Sequence, residues 1–328
     1  MVYFSAPALK GGILRTPQGD GTLTSDPGSE DHIVTVERTT DLDGDHTIAC
    51  WQRISSLAGQ ISRSAVQELI GGLGDSDPFV RWQAGLALAN TAGRLRRRAR
   101  LGAPIWDKQS PELTFSGLLM LLHRGLQDAD PERRAATADA LALWDHEVVV
   151  TYLLETMQDS EPLVRVSAAN ALGKIRDKAA VGVLLSALMD PSTWVRRTAA
   201  DALGAIADPK AVPALQQALT DPQPLVRASI VCALGHLNTP RARATLEQCV
   251  RDADPAVRWQ AARGLGRTGS ARSLAVLRDL RSDTATLFGR PTSEVAASAI
   301  EAIERRERGI WNWFRRLFYA LRHRLVRS

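Results

Sequence analysis

Six aspartates recur along this 328-residue chain where carboxylates could serve as acids, bases or metal ligands: Asp75, Asp128, Asp159, Asp190, Asp221 and Asp252. Divalent-cation sites and general acid–base pairs are built from carboxylates brought together in this way. Each of these six is followed, six residues later, by an arginine: Arg81, Arg134, Arg165, Arg196, Arg227 and Arg258. A carboxylate matched one to one with a guanidinium is held in a charge-assisted pair and is not left over for catalysis. The pattern predicts a structural ladder that ties successive units of the chain together.

The remaining chemistry-bearing residues form no site. His32, His46, His123, His236 and His323 are scattered, and His146-Glu147 is a single pair. Asp41-Leu42-Asp43-Gly44-Asp45 faintly resembles a calcium loop, but its glycine comes at the fourth position and Gln52 stands where a bidentate glutamate is required. Cys50, Cys232 and Cys249 have neither metal-ligand spacing nor a disulfide framework. No phosphate-binding loop, dinucleotide fingerprint or nucleophile motif occurs. The expectation is a chain without catalytic residues, metal or cofactor, and with no small-molecule substrate.

Binding chemistry is better represented. Arg94, Arg96, Arg97, Arg98 and Arg100 crowd into seven positions, followed by Gly102, Pro104 and Trp106. From Arg308 to the end there are six arginines and no acids, so the tail holds +6 and the rest of the chain sums to −1 against a net charge of +5. A near-neutral body argues against a long phosphate-tracking groove, so nucleic acid is an unfavoured partner. On a helix, Ile310, Trp313, Phe314, Leu317, Leu321 and Leu325 make one apolar stripe, while Arg315, Arg316, Arg322, His323 and Arg327 occupy much of the rest. Trp311, Phe318 and Arg324 complete a segment suited to an anionic membrane surface or an acidic assembly.

The elements that position these residues follow from the repeat. The ladder arginines from Arg134 to Arg258 are spaced by 31 residues, and Arg81 lies one period and a 22-residue insertion earlier. Seven residues after each stands a leucine: Leu88, Leu141, Leu172, Leu203, Leu234 or Leu265. A degenerate seventh copy is SEVAASAIEAI. Each unit reads as two helices. Pro162, Pro224 and Pro255 take the first turn of the second helix, where a missing N–H costs nothing. Asp77, Asp130, Glu161, Ser192 and Asp254 are placed to cap it. Gly173, Gly204, Gly235 and Gly266 permit close helix packing. With aromatics at 5%, helices are favoured over strands.

This pattern resembles the HEAT-repeat superfamily, and most closely the short bacterial HEAT-like repeats of phycobilin lyases. The resemblance covers residues 62–305 and implies an all-α, right-handed α-α superhelix of about seven helical hairpins. The implied business is holding a protein, with a bilin lyase as the enzymatic alternative. Deoxyhypusine hydroxylase has the same architecture but needs His-Glu pairs on several second helices. The frame here offers Val166-Ser167, Arg197-Thr198, Ala228-Ser229 and Trp259-Gln260 instead.

In a solenoid, positions that vary between copies are free to face a partner. Counted from the ladder arginine, these are one, two, five and nine residues on. They give Trp82, Gln83, Leu86 and Asn90, then Val166, Ser167, Asn170 and Lys174, then Arg197, Thr198 and Asp201, and finally Trp259, Gln260, Arg263 and Arg267. Tryptophan and arginine are the types that anchor interfaces.

The expected organisation is an extended arm over residues 1–46, a solenoid over 47–305 with an arginine-rich loop at about 93–112, and a basic amphipathic helix over 306–328. Thr47–Gly59 reads as a cap on the first repeat. No apolar run of about 18 residues and no secretory leader is visible, which points to a cytoplasmic chain with peripheral membrane contact through its tail.

Overall fold

A computed structural model describes residues 43–58, 60, 62–100, 115–144 and 146–325, with side chains over 48–58, 60, 62–97, 115–144 and 146–309. Residues 1–42, which carry most of the expected arm, lie outside the described residues, as do 101–114 of the insertion.

Among the described residues fifteen α-helices follow one another. One layer consists of α1 (Asp43–Leu57), α3 (Pro78–Arg100), α5 (Pro131–Leu141), α7 (Pro162–Ile175), α9 (Thr193–Ile206), α11 (Pro224–Leu237), α13 (Pro255–Thr268) and α15 (Thr292–Leu325), each packed on the next. The second layer consists of α2 (Arg63–Gly72), α4 (Phe115–Gly125), α6 (Glu147–Thr156), α8 (Val181–Ala187), α10 (Val212–Ala218), α12 (Pro240–Cys249) and α14 (Ser273–Asp279). A two-stranded hairpin, β1 (Thr286–Leu287) and β2 (Arg290–Pro291), precedes α15. This is an all-α solenoid of helical hairpins.

The helix starts follow from their sequences. Asp77 accepts from Phe79 N at 2.7 Å, Asp130 from Glu132 N at 2.9 Å and Asp254 from Ala256 N at 2.8 Å, which satisfies amides that the helix itself cannot. Glu161 and Ser192 stand at the cap with extended backbone but make no side-chain bond. Proline opens α3, α5, α7, α11, α12 and α13. His146 caps α6 through Nδ1, and Glu147 is that helix's first residue, so the one His-Glu pair has a structural place. At the far ends, Arg176, Ala207 and Asn238 take left-handed conformations that close α7, α9 and α11.

Buried leucines at corresponding places in each copy, among them Leu88, Leu141, Leu172 and Leu203, merge into one core that runs unbroken through the stack. The glycines set how close the first layer packs. A Cβ on Gly173 would lie 2.8 Å from Ala202 Cα, and one on Gly204 would lie 2.8 Å from Ala233 Cα. The helices of the second layer touch one another far less. Tight packing in one layer and loose packing in the other curves the stack, so the α1–α15 layer lines the concave side.

Two boundaries differ from expectation. Helix α1 begins at Asp43, inside the segment read as an arm, and its first residues include part of the calcium-like Asp41–Asp45 stretch. The arginine cluster is no loop: Arg94, Arg96, Arg97, Arg98 and Arg100 lie in the last turns of α3, which runs unbroken from Pro78 to Arg100. Arginine is a good helix former, and Leu95 stays in the core, so nothing ends the helix earlier.

Candidate functional site

The ladder residues sit where the second layer turns into the first. Arg134, Arg165, Arg196 and Arg227 each reach the aspartate of the following repeat with two nitrogens: Arg134 to Asp159, Arg165 to Asp190, Arg196 to Asp221 and Arg227 to Asp252. The third nitrogen of each donates to two carbonyls of its own turn, as Arg165 Nη1 does to Asp159 and Ser160 at 2.8 and 2.9 Å. Arg258 continues the series to Asp283 at 2.7 Å, a carboxylate with Gly289 in place of an arginine six residues later. Arg81 donates to the carbonyls of Asp75 and Ser76, but no rung joins it to Asp128, which meets Arg133 at 3.7 Å. The insertion between the first two copies interrupts the series there.

The solvent-facing side of each concave helix follows helical spacing, at two residues before and one, five and nine residues after the ladder arginine. Five and nine residues on, most side chains are open, among them Asn90, Asp139, Asn170, Lys174, Asp201, His236, Arg263 and Arg267, while Leu86, Ala205 and Cys232 are half-buried. One and two residues on, they are more enclosed. Gln83 and Arg197 are half-buried, and Ser167 and Ser229 are buried. Trp82 is 53% exposed, with its ring 5.9 Å from that of Phe79. Trp259 is only 7% exposed and so presents no anchor. The hairpin covers it: Phe288 packs edge-on at 5.6 Å, and the Arg263 guanidinium lies 5.7 Å over the ring.

A second row escaped the reading by variable positions because it lies on the other side of the arginine. Phe79, Leu163, Trp194 and Leu225, each two residues before it, are all exposed. Comparing the copies at that position shows the signal: Phe, Glu, Leu, Trp, Leu and Ala, apolar in all but one.

Electrostatics divide the groove. Asp139 accepts from Ser167 Oγ at 3.1 Å, and Asp201 pairs with Ser229. Both carboxylates touch solvent yet sit among surrounding protein, and that burial holds their pKa values above the ordinary range against the nearby Lys174 and Arg197 charges. Further along, burial and then Arg267, Arg263 and Arg176 push His236 below its usual value. Burial and Asp201 raise the Cys232 thiol, and burial sends Cys249 up to about 12, so neither is an activated nucleophile. Among the described residues no group of histidine, cysteine and acidic side chains is placed to hold a metal.

The side chains of Arg98, Arg100, Trp311, Trp313, Phe314, Arg315, Arg316, Phe318, Arg322 and Arg324 lie outside the described residues; their backbone is helical, the last eight within α15. No described helix is long and apolar enough to cross a membrane.

Comparison with known proteins bears on the fold. A family model of HEAT repeats matches residues 118–189, 153–230, 181–253 and 215–304, more than half of the chain. No curated protein matches. Among solved structures, YibA of Escherichia coli is similar over 82% of this chain and 99% of its own, at 19% identity and a TM-score of 0.51. The CpcE–CpcF complex of phycocyanin lyase from Nostoc sp. PCC7120 matches over 73% and 94%, at 20% identity and a TM-score of 0.40. Human deoxyhypusine hydroxylase matches over 79% and 99%, at 19% identity and a TM-score of 0.29. At these identities the likeness speaks to the fold alone.

Proposed function

Because this chain belongs to the HEAT-repeat family, we propose that it is a non-catalytic adaptor that holds a protein partner on its concave face and docks by its basic C-terminal helix on an acidic surface. The observation that carries this reading is the division of labour along each concave helix. The repeated leucines are buried and the repeated arginines and aspartates are locked in the ladder, while the positions five and nine residues after the ladder arginine differ in charge and size from one copy to the next. A surface conserved for packing would repeat; one that reads a partner varies along its length.

The tail supports the second half of the proposal. A helix that continues to Leu325 with five arginines and no acid from Arg308 onward and an apolar stripe has the composition of an interfacial anchor. The acidic surface it would meet is a membrane face or a large assembly.

The test is expression of a tagged chain in its own source cells in three forms: full-length, truncated after Arg306, and with Asn170, Asp201 and Arg263 replaced by alanine. A protein retained by the first two and lost from the third assigns the concave face. A membrane fraction or assembly lost only with the tail assigns the helix. Retention of nothing by any form sinks the adaptor reading.

A further inference from the structure

Three guanidiniums and an imidazole gather in the C-terminal half of the groove, where Arg263, Arg267 and the Asp201 carboxylate all act on the Cys232 thiol. Arg176 closes α7, His236 projects from α11, and Arg263 and Arg267 project from α13; all three arginines lie close enough to act on His236. Arg263 covers the Trp259 ring, and Arg267 reaches the Cys232 sulfur and crosses α11 so closely that a Cβ on Gly235 would meet its Nη2 at 3.0 Å. Among the described residues none of the three forms an ion pair, whereas Arg134, Arg165, Arg196, Arg227 and Arg258 all do. Like charges gathered at one place repel one another, so a cluster in which three arginines outnumber Asp201 and none is held in an ion pair suits an anion from outside.

Alongside runs an apolar rail. Leu163, Trp194 and Leu225 are 51%, 61% and 53% exposed, one on the first turn of each of α7, α9 and α11. The Arg197 guanidinium lies 5.6 Å over the Trp194 ring and links the rail to the polar row below. The rail and that row are seven residues apart on each helix, about 10 Å at a rise of 1.5 Å per residue. Packed helices stand about 8–10 Å apart. A chain in polyproline II conformation advances about 3.1 Å per residue and returns to the same side every third residue. Its repeat is therefore close to the spacing between rail residues.

We infer that the concave face recognises an extended acidic peptide whose apolar side chains recur at every third residue. The apolar residues dock on Leu163, Trp194 and Leu225, and a carboxylate of the segment enters the Arg176, His236, Arg263 and Arg267 cluster. This rests on the reading of the concave face as the partner-binding surface. A nucleic acid fits less well, because the rail is two leucines and one tryptophan, whereas bases stacking along a strand call for an aromatic at each step.

The test uses the full chain and fluorescence anisotropy with labelled peptides of repeated Leu-Pro-Glu, Leu-Pro-Lys and Ser-Pro-Glu triplets, and a labelled single-stranded oligonucleotide. The expected result is that Leu-Pro-Glu binds at least about tenfold more tightly than the other three probes. R263Q/R267Q should weaken it about tenfold or more and flatten its salt dependence. W194A should weaken it without changing the melting curve, since that side chain is exposed. Equal binding of the acidic and basic peptides, tighter binding of the oligonucleotide, or an affinity untouched by R263Q/R267Q overturns the inference. If no peptide binds while a cellular partner is still lost on substituting Asn170, Asp201 and Arg263, the adaptor reading stands and this recognition mode falls.

Discussion

Arg196 in one repeat holds Asp221 in the next through two hydrogen bonds, Nε to Oδ2 at 2.6 Å and Nη2 to Oδ1 at 3.2 Å, while its Nη1 donates to the carbonyls of Asp190 and Pro191. One side chain thus closes its own turn and fastens the following one. Both partners are largely buried. Replacing Arg196 by alanine strands a carboxylate and two carbonyls, and removal of one partner from a buried pair costs about 3–5 kcal/mol. Urea unfolding of R196A should lose about 3 kcal/mol. Arg251 also pairs between repeats, with Asp279 at 3.3 Å, but in the open. R251A should change stability by less than about 1 kcal/mol. Equal losses from the two variants would deny the ladder a structural role.

Acid should loosen the solenoid through the same residues. For Asp159, Asp190, Asp221 and Asp252, burial pushes the carboxyl up, but the arginine bonds, a backbone amide and the guanidinium charges outweigh it and leave each below the ordinary range. Asp283 is lowered chiefly by its Arg258 bonds. A pKa lower in the folded state means stability fully present above the unfolded value of about 3.9 and lost as pH falls through and below it. Asp139 and Asp201, raised by burial, act with the opposite sign, since their contribution is present when they are protonated and fades as pH rises through their folded pKa. Five lowered groups against two raised ones predict a urea midpoint that drops on acidification below about pH 4. A double variant R196Q/D221N should show a shallower drop. An unchanged slope would mean the acid response lies elsewhere.

Glycines in this chain divide into those that hold the helices together and those that merely occupy them. A Cβ at Gly204 would sit 2.8 Å from the Ala233 backbone, which cannot move without separating α9 from α11. G204V should therefore cost about 1–3 kcal/mol, and the strain should reach both neighbouring repeats. Gly182, in α8, faces open space. G182A should stabilise by about 0.5–1 kcal/mol, because alanine loses less backbone freedom on folding. Thermal melts of the two variants should move in opposite directions.

The repeat was legible because a 31-residue period places equivalent residues in equivalent surroundings, so Leu172, Leu203 and Leu234 report on one another. Where the period alone had to be extended, inference stopped short. Asp283 lies one period after Asp252, but Gly289 takes the place of the arginine, and the last rung needs only an acceptor. Leu163 is exposed beside Val164, which is fully buried; two apolar neighbours cannot be told apart by type, only by helix phase against the next repeat. Trp82 and Trp259 hold the same place in the frame, yet Phe288, at a positive φ of 52° in the hairpin turn, covers only the second. The Arg94–Arg100 cluster looked like a loop because it follows the end of a repeat, whereas arginine's helix propensity and the buried Leu95 carry α3 through it.

The proposed docking role of the last helix can be tested separately from capping. Among the described side chains of α15, Val295, Ala296, Ala299, Ile300 and Ile303 join the core, and Arg306 donates to the carbonyls of Arg267 and Gly269, closing the end of α13. A chain cut after Arg306 keeps all of these. Its unfolding free energy from urea titration should stay within about 0.5 kcal/mol of the full-length value, as for surface changes in general. Arginines near an anionic membrane contribute about 1 kcal/mol each, so the full chain should sediment with phosphatidylserine vesicles at low salt and the cut chain should not. Vesicle binding retained after the cut would move the docking surface off the tail. A loss of several kcal/mol would show instead that the apolar stripe beyond Arg306 packs on the solenoid, and that the helix serves as its cap.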